Sequence, residues 1–241
     1  MDRLQYLLRT LERRDVVTEA DLALLGTLAL REQRYKRGQE IVRTKSHPSE
    51  SCLMLEGISG REVMTIDGKR QISALHIAGD FIDLHSFTLK RMDHGVVSLT
   101  DTTVVFVPHA DIRRVIDASP HLGRLFWLLT TIDGAIQRAG IACLGRSTAL
   151  QHMAHQFCEL WVRMSIVGLA SPTGFPFTLT QGELADVIGL SAVHVNRTLQ
   201  ELRALGLVDW DGYHVEIHDF AKLAALSDFD ETYLNLFCEA R

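Results

Sequence analysis

The sequence lacks long apolar runs and clustered cysteines. No stretch of about 18 consecutive apolar residues occurs, so neither a transmembrane helix nor a membrane partner is expected. The first residues, Met1–Tyr6, show no charged leader before an apolar segment, so no signal peptide is expected. Because the cysteines share no close spacing, a small disulfide scaffold is excluded, and a cytoplasmic chain with reduced thiols fits best. These cysteines are Cys52, Cys143, Cys158 and Cys238.

Motifs of common catalytic sites are also missing. The sequence contains no glycine-rich nucleotide loop, no Gly-x-Ser-x-Gly elbow and no His-Glu-x-x-His motif. The scattered Asp and His residues cannot be assembled into a catalytic site from the sequence. We therefore expect a protein that is not an enzyme and has no catalytic residues.

Basic residues are scarce in the last third of the chain. The 241 residues carry a formal net charge of −5, and 46% of them are hydrophobic, as in an ordinary globular protein. Within Ile166–Arg241 there are four basic and eleven acidic residues. This balance argues against a broad basic surface for nucleic acids. Any nucleic-acid contact must come from a small, locally basic face.

The segment from Arg34 to about Pro108 has the texture of a β-domain. Short apolar runs alternate there with Gly, Asp, Ser and Pro, and Asp67-Gly68 between two such runs indicates a hairpin. Seven or eight short strands at this spacing predict a sandwich, barrel or jelly roll. Before this segment, Thr18 and Asp21 form a capping-box pattern, which predicts a helical opening.

A long helix is predicted to begin at Pro120. Apolar residues follow it at alternating steps of three and four, which is the heptad pattern of a two-stranded coiled coil. This dimer seam comprises Leu122, Leu125, Leu129, Ile132, Ile136, Ala139 and Cys143. Ile132→Asp is accordingly expected to yield monomers. The alternative is a helix that packs against its own domain.

The stretch Thr178–Ile217 carries the most specific pattern. Thr180 with Glu183 predicts one short helix, Gly189 a tight turn, and Ser191 the cap of a second helix. Two strand-like runs around Asp211-Gly212 then predict a hairpin, the wing of a winged helix-turn-helix. A generic helical hairpin is the alternative.

Several segments resemble the Crp/Fnr family of bacterial transcription regulators. Leu179–Ser191 and Val195–Leu202 look like the family's helix-turn-helix, while Leu53–Gly57 and Ala78–Ile82 are similar to its β-roll. The predicted long helix stands where that family dimerises. The resemblance implies a homodimer that binds a pseudo-palindromic DNA site and regulates transcription, with RNA polymerase as a further partner. The alternative is a dimeric ligand-sensing module whose winged helix contacts protein rather than DNA.

We therefore expect an α+β protein with four parts. These are a cyclic-nucleotide-binding-like β-roll (jelly-roll) sensor domain at 1–118, a dimerisation helix at 119–145, a Crp-type winged helix-turn-helix DNA-binding domain at 146–220 and a C-terminal helical extension at 221–241. The extension is expected to pack on the winged helix or to contact RNA polymerase or the neighbouring subunit.

The sequence departs from the family's cyclic-AMP binders. Those proteins carry Gly-Glu directly after Gly-Asp-Phe-Ile and an Arg-Ser pair about ten residues later, where this chain has Asp83-Leu84 and His94-Gly95. Because a buried phosphate needs a cation or backbone amides, control by cyclic AMP is not expected. An iron–sulfur cluster is not expected either, because Cys52 is the only cysteine before residue 140.

The candidate effector pocket consists of Asp83, Leu84, His85 and His94. Its imidazoles suit haem or metal ligation or pH titration, or else ordinary hydrogen bonding within the roll. His152, His155 and Cys158 share one predicted helix at a spacing that could start a metal site, with a purely structural role as the alternative. No cofactor or metal is assigned from the sequence.

The DNA contacts are predicted from position on the second helix. Arg197 suits a two-pronged contact with guanine, and Asn196 suits adenine. The alternative for Arg197 is a surface salt bridge with Glu201. The predicted contact residues are Thr180, Gln181, Ser191, Ala192, Val193, His194, Asn196 and Arg197. The family usually has Glu where Val193 stands, so its familiar half-site is not expected.

Overall fold

The computed structural model of the chain describes residues 2–239, which fall into two compact units. The first unit contains the described residues up to Glu62, those of Leu75–Gly134 and those from Asn235 onward. The second contains Val63–Ala74 and Ala135–Leu234. No helix in the described part of the chain has the length and apolar character needed to cross a bilayer.

Seven strands and five helices occupy the chain as far as Arg146. The strands are β1 Arg31–Tyr35, β2 Glu40–Val42, β3 Glu50–Glu56, β4 Ser59–Met64, β5 Arg70–His76, β6 Gly95–Ser98 and β7 Thr102–Pro108. The helices are α1 Gln5–Glu12, α2 Glu19–Leu25, α3 Ser86–Leu89, α4 His109–Ala118 and α5 Pro120–Arg146, and a 3-10 turn at Asp2–Leu4 precedes them. The predicted helical opening, β-domain and long helix are confirmed.

The strands form two antiparallel sheets. One has the order β1-β7-β3 and the other β2-β6-β4-β5. Central strand β7 pairs Phe106 with Arg31 of β1 and Val107 with Ser51 of β3. Strand β6 is buried along its whole length, and its adjacent Val96 and Val97 are both core residues. The predicted Asp67-Gly68 turn is present, and Gly68 adopts a positive φ of 79° as such a turn requires.

The first residues of α5 belong to the core of the first unit. Leu122 and Leu125 have no exposed surface, and Phe126 is 3% exposed. They pack in one apolar cluster with α1, α2, α4, β3 and β7. Burial of such side chains contributes roughly 1.5–3 kcal/mol each. The start of the long helix is therefore anchored by its own chain.

The second unit contains the predicted helix-turn-helix and wing. Its helices are α6 Ala149–Val167, α7 Gln181–Ile188, α8 Ala192–Ala204 and α9 Phe220–Ser227, and its strands are β8 Gly174–Pro176, β9 Val208–Trp210 and β10 His214–Ile217. The strand order is β8-β10-β9. Strand β8 was not predicted from the sequence. Thr148 caps α6 in a capping box with Gln151.

The C-terminal residues up to Leu234 pack on α6. The Phe220 ring lies 4.5 Å from that of Trp161, and the Tyr233 ring stacks on His155. The Tyr233 hydroxyl donates to Glu159 Oε2 at 2.8 Å, and Glu159 Oε1 accepts from Arg163 at 2.9 Å. The tail thus closes a buried polar network in which each charge has a partner.

Buried His152 on α6 makes the stability of the second unit sensitive to acid. Its side chain is 7% exposed, and burial together with neighbouring His155 lowers its pKa from 6.5 to about 4. The folded state therefore binds this proton less readily than the unfolded state, and stability is lost as pH falls below 6.5 towards 4. Relative to His152→Gln, the wild type is expected to lose about 1–2 kcal/mol more between pH 7 and pH 5.

Urea unfolding at constant protein concentration measures this difference. His214→Gln, at an exposed histidine of the same unit, is the matched control and should keep the wild-type pH dependence. If the wild type and His152→Gln lose the same free energy of unfolding between pH 7 and pH 5, His152 is not buried in its neutral form.

Candidate nucleic-acid interface and histidine cluster

Helix α8 has one buried face and one exposed face. Ser191 begins it, because its hydroxyl accepts the His194 N–H at 3.2 Å. The buried face consists of Val195, Thr198, Leu199 and Leu202. Of the predicted contact residues, Ser191, Ala192, Val193, Asn196 and Arg197 are exposed and His194 is half-buried. The N-terminal part of α8 therefore presents the predicted side chains on one accessible face.

Arg197 and Asn196 form the polar part of this face. The Arg197 side chain is 69% exposed, and its Nε lies 3.9 Å from Glu201 Oε1, near the outer limit for an ion pair. Asn196 Nδ2 donates to Gln181 Oε1 at 3.4 Å, a long contact between the two helices. Both side chains remain available for a ligand that offers better partners.

Thr180 is already engaged in holding α7. Its backbone N–H and its hydroxyl donate to Glu183 Oε2 at 2.7 and 3.0 Å, and the hydroxyl accepts the Glu183 N–H. This capping box makes Thr180 the cap of α7, as the pattern of Thr180 with Glu183 predicted. Half-buried Gln181 lies beside it at the start of α7.

Most acidic side chains of the wing accept hydrogen bonds from other groups of the second unit. Asp209 accepts from both Arg203 and His218, and these two hydrogen bonds lower its pKa. At the tip, Asp211 accepts the N–H groups of Tyr213 and His214 at 2.8 Å each. Asp209 is therefore paired, while Asp211 shapes the turn.

The end of α7 is held by residues that the sequence did not single out. Arg70 donates to Asp186 Oδ2 through Nε at 2.8 Å and lies 2.7 Å from it through Nη2. Gln71 Nε2 donates to the carbonyls of Asp186 and Val187 at 2.8 and 3.1 Å. These carbonyls belong to the last turn of α7, where carbonyl groups have no N–H donor within the helix. About 115 residues separate the partners, so no local pattern reveals them.

His85 and His94 lie together in the first unit. Their ring centroids are 5.1 Å apart, and His94 Nδ1 is 2.8 Å from Asp93 Oδ1. The Nε2 atoms of both imidazoles are buried and have no hydrogen-bond partner among the described residues. The structure thus brings together two of the four predicted pocket residues and adds Asp93, which the sequence analysis missed.

Charged groups near these imidazoles were also missed. Arg61 donates to Asp133 Oδ2 at 2.9 Å, and the Arg61 side chain is only 5% exposed. Burial, followed by the Arg61 charge, lowers the pKa of His85 to about 4 and also lowers that of His94. Both imidazoles are therefore neutral at pH 7.

The other two predicted pocket residues lie elsewhere. Asp83 Oδ1 accepts the Cys52 N–H at 2.6 Å, and burial raises the pKa of Asp83 to about 7. Leu84 packs in the apolar cluster of the first unit. The chain bends and turns over residues 82–85, so adjacency in sequence to His85 did not place these side chains beside it.

Within residues 2–239, the histidines of α6 belong to no group of three potential metal ligands. His155 Nε2 lies 3.0 Å from the Tyr233 hydroxyl. Burial raises the pKa of the Cys158 thiol to about 12, although a hydrogen bond with Ser227 opposes the shift. These contacts support the structural interpretation of that spacing.

Two domain models match successive parts of the chain. The model of the cyclic nucleotide-binding domain matches residues 32–119, and the model of the Crp-like helix-turn-helix domain matches residues 151–226. The chain belongs to the Crp/Fnr family. This Crp/Fnr protein is a DNA-binding transcription regulator.

Known relatives of this Crp/Fnr regulator align along most of its length. Transcriptional activator protein FnrL of Cereibacter sphaeroides is 25% identical over 193 residues, which are 78% of this chain and 77% of the relative. A probable transcriptional activator of Rhizobium leguminosarum is 26% identical over 210 residues, 86% of this chain and 85% of the relative. FixK2 from Bradyrhizobium japonicum shares the fold with a TM-score of 0.72 at 21% identity, covering 83% of this chain and 98% of that one.

The predicted seam on α5 of this Crp/Fnr regulator is only partly accessible. Leu122 and Leu125 are fully buried by their own unit, and Ile132 is 7% exposed. Among the other predicted seam residues, Leu129, Ile136 and Ala139 are half-buried and Cys143 is buried. The alternating spacing identified an apolar face, but spacing does not reveal what covers that face. Ile132→Asp would therefore disturb the fold of the protomer and cannot test dimerisation alone.

Other apolar side chains of α5 are exposed. Trp127 is 73% exposed, Ile141 is 67% exposed and Leu144 is 50% exposed. At 100° per residue they fall within about a third of the helix circumference. A surface of this kind on a long helix is typical of a helix–helix interface.

Proposed function

We propose that this Crp/Fnr regulator acts as a homodimer that reads a two-fold symmetric DNA site through α8, in the cytoplasm and without cyclic AMP. The observation that carries the proposal is the capped N-terminal end of α8, where Val193, Asn196 and Arg197 are exposed together. In helix-turn-helix proteins this end of the second helix enters the major groove.

The exposed side chains suit base edges. The Arg197 guanidinium can donate to guanine O6 and N7 together, and the Asn196 amide can pair with adenine. Val193, which is 82% exposed, offers an apolar surface for a thymine methyl group. Ala192 and His194 flank these residues, and Ser191 and Gln181 stand at helix starts whose N–H groups suit phosphates.

The exposed apolar residues of α5 support the dimer. Trp127, Ile141 and Leu144 leave an apolar strip that a second copy of the same helix would cover. Two copies related by two-fold symmetry would place two recognition helices on half-sites about 34 Å apart. The name of the relative FnrL, a transcriptional activator, supports RNA polymerase as a further partner.

Independence from cyclic AMP rests on the charges in the first unit. His85 and His94 are neutral at pH 7, because burial lowers the pKa of both. The buried Arg61 guanidinium is paired with Asp133. A cyclic phosphate would therefore have to break an existing ion pair before it found a cation.

Selection of bound sequences from a randomised duplex library, with purified full-length protein at moderate salt, tests the proposal. We expect a two-fold symmetric motif, enriched equally with and without added cyclic AMP. Enrichment only when cyclic AMP is present would contradict the independence from cyclic AMP. Failure to enrich any motif with pure protein, or with cell extract added, would contradict DNA reading.

A further inference from the structure

We propose that His85, His94 and Asp93 form a site for one divalent transition-metal ion such as Zn²⁺. The site lies in the first unit, uses none of the residues assigned to DNA contact and does not depend on the proposed mode of DNA reading. The ligands would be one imidazole nitrogen from each histidine and one carboxylate oxygen.

The three side chains already converge. One potential ligand atom from each residue lies within 4.8 Å of the others, and this is the one such three-residue group among residues 2–239. In a tetrahedral zinc site, ligand bonds of about 2.0–2.2 Å place the ligand atoms roughly 3.4 Å apart. Side-chain rotations that draw the atoms together by roughly an ångström would complete the geometry.

The hydrogen bonding of the imidazoles leaves the atoms that a metal needs. Asp93 Oδ1 lies 2.8 Å from His94 Nδ1, a hydrogen bond that leaves the lone pair of the neutral imidazole on Nε2. Because the carboxylate cannot hold this proton and also bind an ion at Nε2, the exposed Asp93 side chain would turn from Nδ1 to the ion on binding. His94 is 7% exposed, and the Nε2 atoms of both histidines are buried without a hydrogen-bond partner among the described residues. Buried polar atoms normally have partners, and a bound cation would supply one to both.

The charges and donor types favour a borderline transition metal. The positive charge of Arg61 opposes a cation, but Asp133 pairs with Arg61 and Asp93 adds a second negative charge. Two nitrogens and one oxygen suit Zn²⁺, Ni²⁺, Cu²⁺ or Fe²⁺ better than Ca²⁺ or Mg²⁺, which prefer oxygen alone.

The site also has an entrance. The Asp93 side chain is 78% exposed, whereas that of His94 is 8% exposed. An ion could therefore meet the carboxylate at the surface before it reaches the buried nitrogens. Three protein ligands would leave a fourth coordination position for water or a small ligand, as in open zinc sites.

Titration with Co²⁺, whose visible absorption reports tetrahedral coordination, tests the proposal. The full chain is used without a histidine tag, after chelator treatment, with Cys238→Ser to remove an exposed thiol. We expect one Co²⁺ per protomer, displaced by Zn²⁺. His85→Gln and His94→Gln should each weaken binding at least about tenfold. His47→Gln, at an exposed histidine of the same unit, should not.

A variant that gains a new absorption band distinguishes a direct metal ligand from a residue that only supports the fold. His94→Cys keeps a metal ligand at the same position, so it should bind Co²⁺ and add sulfur-to-cobalt charge-transfer absorption. Circular dichroism checks that each variant is folded. Absence of stoichiometric binding to the parent protein, or equal binding by folded His85→Gln and His94→Gln, would overturn the proposal.

Discussion

The Ile141→Asp variant is expected to sediment as a monomer at concentrations where the wild type is a dimer. Ile141 is 67% exposed in a single chain, so the substitution costs the protomer little. In a paired α5 interface, the same position would bury an unpaired carboxylate from each subunit. An uncompensated buried charge costs about 3–5 kcal/mol, which corresponds to more than a hundredfold loss of dimer affinity.

Sedimentation velocity over a range of protein concentrations measures this effect. Val16→Asp replaces a residue that is 68% exposed and lies outside α5, so it should leave the dimer intact. If Ile141→Asp and Trp127→Asp both remain dimeric, the subunits associate through a surface other than the exposed strip of α5.

Replacing Arg197 by alanine is expected to weaken binding to the selected DNA site by about 1–3 kcal/mol and to relax the preference at one base pair of each half-site. The loss arises because the bidentate contact with guanine disappears, while the phosphate contacts remain. Binding to random DNA should weaken much less. Fluorescence anisotropy with the selected duplex and with single-base variants measures both affinity and specificity.

Glu201→Ala is the matched control for Arg197. The Arg197–Glu201 pair spans 3.9 Å at an exposed position, where such pairs contribute about 0–1 kcal/mol. Removing Glu201 should therefore preserve the base preference and leave affinity unchanged or slightly stronger. Equal loss of specificity in both variants would show that Arg197 acts through the salt bridge, as in the alternative considered above.

The DNA-reading half was largely predictable because its signals are local. Thr180 with Glu183, Gly189 in the left-handed region and Ser191 before α8 each act within a few residues, and the structure places each as predicted. Strand β8 escaped prediction because its three residues, Gly, Phe and Pro, carry too little periodicity.

The histidine cluster was only half predictable because the charged groups around it come from distant parts of the chain. His85 and His94 were singled out for their imidazoles, but Arg61 and Asp133, which set the local charge, lie 72 residues apart in the chain. The seam on α5 shows a different limit. The apolar spacing was correct, yet the cores of folded units and subunit interfaces use the same residue types, so sequence did not reveal that Leu122 is covered by its own unit.

The pairing of Arg203 with Asp209 has a consequence for how the protein searches a chromosome. Of the two arginines on α8, Arg203 is already neutralised by the wing, which leaves Arg197 as the main cation of the helix. Few DNA counterions would then be released when the protein meets a random sequence, so its residence there is short. We therefore expect sliding along DNA to contribute little to the search. Target sites would then be reached mainly by repeated three-dimensional encounters, and their occupancy would depend strongly on the number of regulator molecules in the cell.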